Sequence, residues 1–394
     1  LWLRRREAIP QFLPGRGRLL IVVNGYPETG HLYRNAFVHR RVLGYRALGV
    51  PVDVVWVSVT EKSRTFEHEG VPVRICDPES LRASLVHSDY AAIAVHFLDE
   101  TLWSALADAA SSTRTVVWVH GAEIQPSHRR WFNYVTDEER DAAAVESEKR
   151  CNFWRGLLGS PPAGLRLVFV SATFAAQVWD DLGFTLPHQY WRTIPIPIDP
   201  DLFDGGPKGP EQRFRVLSIR PHASAIYAND QVAAVIHRLS SNPIFGNIQF
   251  RHIGEGPLFD RNFKGLERFA NVTLERRFLS QAEIARLHRE YGIFLVPSRG
   301  DTQGVSRDEA MSSGLVPITN DVGAIREFVG DHCGVIVAPE DVDALAEAII
   351  ALVNDPSRFV EMSTRAREQV LGLSSASMVV RLELEWLEMG VHIA

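Results

Sequence analysis

The chain has 394 residues, 45% hydrophobic and 23% charged, with a formal net charge of −6. This length exceeds one typical core and sets two domains as the expectation, and the mildly acidic balance excludes a nucleic-acid coat. Cys76, Cys151 and Cys333 are scattered and form no CxxC pair, which excludes a disulfide framework or a cysteine-rich zinc site and fits a reducing cytoplasm.

The chain opens on LWLRRREAIPQFLPGRG, residues 1–17, without a methionine, as a piece of a longer protein with neighbouring domains would. Arg4, Arg5 and Arg6 beside Trp2 and Leu3 read as a solvated charge run, with peripheral contact to an anionic inner-membrane surface as the alternative. No apolar run approaches the ~18 residues of a membrane span. RLLIVVN at 18–24 is a short apolar run ending in Gly25, the pattern of a buried parallel strand. A turn, YPETGH, leads into the helical spacing of YRNAFVHRRVLGYRALG, where Arg34, His39, Arg40 and Arg41 make a basic face suited to an anionic acceptor or to water. VPVDVVWVSV, AAIAVHF, TVVWVHG and LRLVFVS are further strand candidates, with helical patterns between several of them. That alternation predicts a parallel sheet covered on both faces.

Residues 194–212, IPIPIDPDLFDGGPKGPEQ, hold the Pro, Gly and Asp cluster expected of a linker. The strand–helix pattern then restarts. RFRVLSIRP, NIQFRHIG, NVTLERR, YGIFLVPS, LVPITN and CGVIVAP read as strands. Helices are expected near 228–240, 280–290, 304–313 and 341–353, and an amphipathic helical tail over 356–390. The fold class is therefore α/β, with two doubly wound Rossmann-like domains facing across a cleft. The expected boundaries are an extension at 1–17, a first domain at 18–196, a linker at 197–212, a second domain at 213–373 and a terminal helix at 374–394 that packs back on the first domain. In such sheets a ligand sits outside the carboxyl ends of the strands.

The stretch SRGDTQGVSRDEAMSSG, 298–314, carries the densest signal. Asp301 falls on a strand-to-helix loop and Glu309 on the helix, which Gly314 closes as its left-handed end residue. Amides near Thr302, Gln303, Gly304 and Val305 face out of the helix N-terminus, where free N–H groups and the helix dipole attract hydroxyls and phosphates. Gly304 admits close approach to the backbone. A carboxylate accepts two hydroxyls at once, which suits a vicinal diol. The competing structural roles are a simple N-cap for Asp301 and a surface ion pair for Glu309.

Pro297, Ser298, Gly304, Glu309, Ala310, Met311, Gly314 and Pro317 resemble the E-x7-E segment of retaining GT-B glycosyltransferases of family 4. The resemblance covers most of the chain, most strongly 213–353. It implies that Asp301 and the adjacent amides hold a donor sugar and that Glu309 holds the ribose of the nucleotide. The family's first acid is Glu, so Asp301 is one methylene short, and Gln303 replaces a frequent aromatic. VLSIRP resembles the strand that delivers an arginine, here Arg220, to the donor diphosphate. The family's following lysine is absent, which leaves His222, Lys264 or Arg307 to compensate. HIGEGP resembles the turn beside the nucleotide base and nominates Gly254, Glu255 and Gly256.

In the first half, GYPETGH resembles the family's glycine loop and nominates Gly30 at the donor phosphate. WVHGAE places His120 where the family has a histidine beside the reacting sugar, and a satisfied structural histidine is the plain alternative. A metal group of His120, Glu123 and His128 lacks the usual ligand spacing. The resemblance implies a cytoplasmic enzyme that moves a sugar from a nucleotide-sugar donor to a glycan or lipid-linked acceptor, as in bacterial surface polysaccharide assembly. It implies no cofactor and no divalent metal. A sugar-nucleotide epimerase, a phosphorylase, and a degenerate donor-binding or scaffolding domain share the architecture.

Overall fold

The computed structural model describes residues 17–389, so the arginines and Trp2 of the opening segment lie outside the described residues. The first sheet is built from β1 (Leu19–Val23), β2 (Val52–Val57), β3 (Arg64–His68), β4 (Val71–Cys76), β5 (Ala92–His96), β6 (Arg114–Val119), β7 (Leu165–Phe169) and β8 (Trp191–Thr193). Its order is β3-β4-β2-β1-β5-β6-β7-β8, parallel throughout except for the β3–β4 hairpin. All five residues of β1 are buried, because both faces of the central strands are covered. The covering helices are α1 (Ala36–Ala47), α2 (Pro78–Leu85), α3 (Glu100–Leu106), α4 (Asp137–Gly159) and α5 (Ala172–Leu182). Four of these five have side-chain N-caps where the sequence offers them: Asp77 on Ser80, Asp99 on Leu102, the Thr136–Glu139 capping box, and Ser171 on Phe174.

The second sheet contains β9 (Arg215–Ile219), β10 (Gln249–Gly254), β11 (Val272–Arg276), β12 (Ile293–Leu295), β13 (Val316–Asn320) and β14 (Val335–Val337), all parallel, in the order β11-β10-β9-β12-β13-β14. Its helices are α6 (Asn229–Leu239), α7 (Phe259–Phe263), α8 (Gln281–Glu290), α9 (Val305–Ser312), α10 (Ile325–Phe328), α11 (Val342–Asn354) and α12 (Pro356–Ser374).

The tail is two helices. Ser375 adopts φ −60 and ψ 135 and breaks the run, and α13 (Ala376–Trp386) follows. Val379, Val380, Leu384 and Trp386 of α13 join the core formed by β1, β2 and α1. At the break the chain crosses the linker: the Ile198 amide donates to the Ser374 carbonyl at 2.7 Å, and the Ala376 amide to the Ile198 carbonyl at 2.8 Å. Strand order reverses between β1 and β5 in one sheet and between β9 and β12 in the other. Those switch points are where side chains at the strand ends are free to meet a ligand.

Candidate functional site in the cleft

The loops after β9 and β12 meet the loops after β1 and β6 around a cavity of about 620 Å³, a size that suits a small-molecule site. Arg220 follows β9. Its amide continues the ladder to the Ile253 carbonyl at 3.1 Å. The residue is 7% exposed, and its guanidinium donates to Ser306 Oγ at 3.1 Å and lies 5.1 Å over the Tyr227 ring. Nε has no acceptor, and among the described residues no carboxylate lies within ion-pair distance. A surface ion pair is therefore not its role. Burial pulls its pKa below the ordinary arginine value, with Asp301 opposing. A buried cation with unfilled donors is an anion site in waiting.

The loop after β12 carries the acid pair, and both Asp301 and Glu309 line this cavity. Asp301 is not the N-cap of α9; that position is Gly304, at φ 97, with no side-chain cap. Asp301 Oδ1 accepts the Gln303 amide at 3.0 Å and its carbonyl accepts the Ala324 amide at 3.0 Å, which fixes the loop. A Cβ at Gly304 would crowd the Asp301 carboxylate and the Arg307 guanidinium. The first-turn amides of α9, beginning at Val305, have no intrahelical acceptors, and Val305 and Ser306 line the cavity. Gly314 closes α9 at φ 80, as its sequence position implies.

Glu309 is 9% exposed and makes no ion pair among the described residues, so the surface-pair role is excluded. Burial pushes its carboxyl up to about 8, with Arg40 opposing and the neighbouring Asp308 adding to the rise. Asp308 is the structural acid of the segment. It is fully buried and pairs with Arg307 Nη2 at 2.7 Å.

His120 follows β6. Its Nε2 shares a hydrogen bond of 3.0 Å with His96 Nδ1, and the rings of Phe97 and Phe37 pack at 4.5 and 4.9 Å. Burial, reinforced by Arg41, holds its pKa well below the usual histidine range. The ring bordering the cavity is thus a neutral hydrogen-bonding group. Glu123 accepts the amides of His120 and Gly121, and His128 lies 3.8 Å from Asp181, so the His120–Glu123–His128 metal group is not formed.

Several sequence expectations need correction. Gly30, at φ 88, sits in an exposed turn closed by the His31 amide on the Glu28 carbonyl, outside the cavity. Gly254 and Glu255 also lie outside it. Gly254 is glycine because a Cβ there would collide with the Arg220 carbonyl, so it seats the Arg220 turn. Glu255 pairs with Arg276 at 3.0 Å. Gln303 spends its amide on Asp301 and its side chain on the Ile196 backbone and Asp308, so it ties the loop to the linker. Thr302 Oγ1 donates to the His120 carbonyl at 3.0 Å across the cleft.

None of the three substitutes for the missing lysine serves. His222 bonds His252 at 2.7 Å, and burial holds its pKa near 4; Lys264 is exposed outside the cavity; Arg307 is committed to Asp308. The basic face of α1 divides as well. Arg41 is buried on Glu383 and His39 on Tyr26, while Arg40 reaches the cavity.

The cavity also holds residues that the sequence did not point to. Arg130 borders it with Nε buried and without an acceptor, and among the described residues it has no ion-pair partner. By contrast Arg129 is bound to Asp181, and Arg299 to Asp230 and Glu340. Tyr33 lies on the same wall and its hydroxyl accepts the Leu279 amide at 3.0 Å.

Residues 223–355 match the family model described as glycosyl transferases group 1. Over 94% of its length the chain superposes on sucrose-phosphate synthase from Thermosynechococcus elongatus, with a TM-score of 0.70, 16% identity and 98% of that chain covered. It also superposes on Anabaena HepE, solved with UDP and glucose, with a TM-score of 0.67, 12% identity, and 94% and 99% of the two chains covered. The chain has the GT-B glycosyltransferase fold. Among curated relatives, it is 22% identical over 257 residues to the MMP alpha-(1->4)-mannosyltransferase of Mycolicibacterium hassiacum, 64% of this chain and 56% of that protein. It is 29% identical over 161 residues to the lipopolysaccharide core mannosyltransferase LpsB of Rhizobium meliloti, 39% of this chain and 44% of that protein. The chain thus spans about half the length of these curated relatives. No helix among the described residues of this GT-B chain is long and apolar enough to cross a membrane.

Proposed function

We propose that the chain is a retaining glycosyltransferase that moves a hexosyl group from a nucleoside diphosphate sugar to a hydroxyl of a glycan or lipid-linked acceptor. The observation that carries the reading is a single cavity that brings together an uncommitted buried guanidinium, Arg220, a helix N-terminus and two carboxylates, Asp301 and Glu309. In this reading Arg220 and the first-turn amides of α9 take the diphosphate, whose charge grows as the glycosidic bond breaks. Asp301 accepts sugar hydroxyls, and Glu309 accepts the ribose diol. Arg130 supplies the second cation from the opposite wall, in place of the absent lysine. His120, held neutral and oriented by His96, hydrogen-bonds the sugar at the reacting centre. The cleft excludes water, so the acceptor hydroxyl competes only with the protein for the oxocarbenium-like carbon.

Retention is supported by the similarity to trehalose-6-phosphate synthase, which has been studied for glycosyl transfer with retention. Both curated relatives are mannosyltransferases, which favours a hexosyl donor, and one is named for lipopolysaccharide core biosynthesis, which favours a place in surface-glycan assembly. No divalent metal is required in this scheme, because guanidinium groups and amides meet the diphosphate charge.

The test is a panel of nucleotide sugars titrated into the purified chain, alongside Glu309→Ala and Arg220→Ala. Selective binding of one donor is expected, with release of nucleoside diphosphate once an acceptor is present. Losing a hydrogen bond to a charged group costs about 1.5–3 kcal/mol, so each variant is expected to bind roughly 10–100-fold more weakly. Binding of no panel member would reject the donor site. Selective binding without diphosphate release, across a broad set of glycan and lipid acceptors, would identify a degenerate donor-binding domain.

A further inference from the structure

Behind the cavity, α1 and the β3–β4 hairpin bring His39, His68 and Glu69 together, with one ligand atom of each lying within 4.8 Å of the others. We propose that these three side chains form a divalent transition-metal site of the zinc type, separate from the sugar-transfer cavity, that clamps the hairpin to α1.

The donor set is the first support. Two imidazoles and a carboxylate are a recurrent three-ligand zinc set that leaves a fourth position for water. The geometry is the second. His39 Nε2 and Glu69 Oε2 are 3.2 Å apart. Zinc bonds of about 2.0–2.2 Å at a tetrahedral angle hold two ligand atoms roughly 3.4 Å apart, so this pair already has the spacing of a shared ion. The ring of His68 stands 4.7 Å from that of His39, and its ligand atom lies within 4.8 Å of the other two.

The outer partner is the third. His39 is 2% exposed, and its other nitrogen, Nδ1, meets the Tyr26 hydroxyl at 2.7 Å. A ligating histidine almost always has its second nitrogen fixed in this way. The hydroxyl serves either tautomer. It donates when His39 carries its hydrogen on Nε2 and accepts when the hydrogen moves to Nδ1, which frees Nε2 for a metal with no net proton released.

The backbone is the fourth. Glu69 and Gly70 are the two loop residues between His68 and Val71, and their φ values of 46 and 74 are those of a type I′ hairpin turn. That turn sets Glu69 beside His68, and its carboxylate reaches His39 on α1. Glu69 is 49% exposed at its side chain, which gives an ion a way in. Arg40 Nη1, 3.5 Å from the same carboxylate oxygen, is the competing cation. It also borders the cavity, so it has somewhere to go when a metal takes the carboxylate.

The experiment is calorimetric titration of Zn²⁺ into chelator-treated protein and into His68→Ala, Glu69→Gln and Tyr26→Phe. Wild type is expected to bind one tight equivalent. His68→Ala and Glu69→Gln should lose it, and Tyr26→Phe, which keeps all three ligands, should bind roughly 10–100-fold more weakly. Melting temperature should rise with Zn²⁺ in wild type and stay unchanged in His68→Ala. Wild type and His68→Ala should melt alike in the presence of chelator, which separates ligand loss from misfolding. With 14 histidines in the chain, weak surface binding is the alternative. Zinc stoichiometry and affinity unchanged by His68→Ala and Glu69→Gln would overturn the site. None of these readouts involves a sugar nucleotide, so the outcome stands apart from that of the donor panel.

Discussion

Glu309 keeps its proton to about pH 8 because burial in the cleft outweighs the attraction of Arg40. A folded pKa raised above the ordinary 4.5 means that the folded chain binds more protons than the unfolded one between those values. Its contribution to stability is therefore complete below about pH 4.5 and declines as pH rises toward 8. Ligand binding has the opposite sign. A ribose diol donates two hydrogen bonds to a carboxylate and so favours the ionised form. Donor affinity should rise by up to about tenfold per pH unit below pH 8 and level off above it, with a proton released on binding. The profile in Glu309→Gln should be flat. Donor dissociation constants between pH 6 and 9 decide the matter, and a wild-type profile as flat as that of the variant would remove Glu309 from the diol. Burial raises the carboxyl of the neighbouring Asp308 as well, to about 6, with Arg307 opposing, but Asp308 is a structural acid, spent on its buried pair with Arg307.

The terminal helix α13 is tied to the first domain by a buried acid, beside the Arg114 bonds to the Trp386 carbonyl and the Trp386 bond to the Leu167 carbonyl. Glu383 accepts Arg41 Nε at 2.7 Å, the Tyr45 hydroxyl at 2.6 Å and Trp118 Nε1 at 3.2 Å, and both Glu383 and Arg41 are fully buried. The other two guanidinium nitrogens of Arg41 have no acceptor. Removing the acid leaves a buried cation uncompensated, so Glu383→Ala should destabilise the protein by about 3–5 kcal/mol, read from urea unfolding. A loss under 1 kcal/mol would mean that water reaches Arg41. This pair also shows what the sequence hides. The amphipathic spacing of the tail was legible, but Glu383 in RLELEW looks like any polar-face residue, and Arg41 in HRR looks solvated. Only the packing of α13 on β1, β2 and α1 buries them. The acids of the cleft were legible because Asp301, Gly304, Glu309 and Gly314 lie on one continuous strand–loop–helix segment. Arg130 and Tyr33 were not, because they enter the cavity from the opposite domain. The β3–β4 hairpin escaped notice for a third reason: RTFEH is mostly exposed and carries one aromatic, so no buried strand pattern marks it.

Polar contacts join the two domains across the cleft, beside apolar ones such as Tyr33 on Phe278. Thr302 reaches the His120 carbonyl, Tyr33 receives the Leu279 amide, and Ser224 donates to Asn133 Oδ1 at 2.6 Å. The strongest tie is Glu327 of α10. Its two carboxylate oxygens accept the Ala172 and Thr173 amides at 2.7 and 2.9 Å, so one domain caps the N-terminus of α5 in the other. Charge and helix dipole add to those bonds. Helix α5 keeps its own cap, since Ser171 Oγ accepts the Phe174 amide. Removing Glu327 therefore loosens the domains without unravelling the helix. Hydrogen bonds to a charged group contribute about 1.5–3 kcal/mol, so Glu327→Ala should shift the balance toward the open form by roughly 10–100-fold. The crossing of the linker at Ile198 with the chain at Ser375 is left intact by the substitution. Small-angle scattering should give a larger radius of gyration for Glu327→Ala than for wild type, with an unchanged melting temperature for each domain. A saturating donor should restore the compact form, because a ligand held by Arg220 and Glu309 on one wall and Arg130 on the other favours closure by its differential affinity for the closed state. Superimposable scattering profiles for the two proteins would show that closure rests on the remaining contacts and not on this carboxylate.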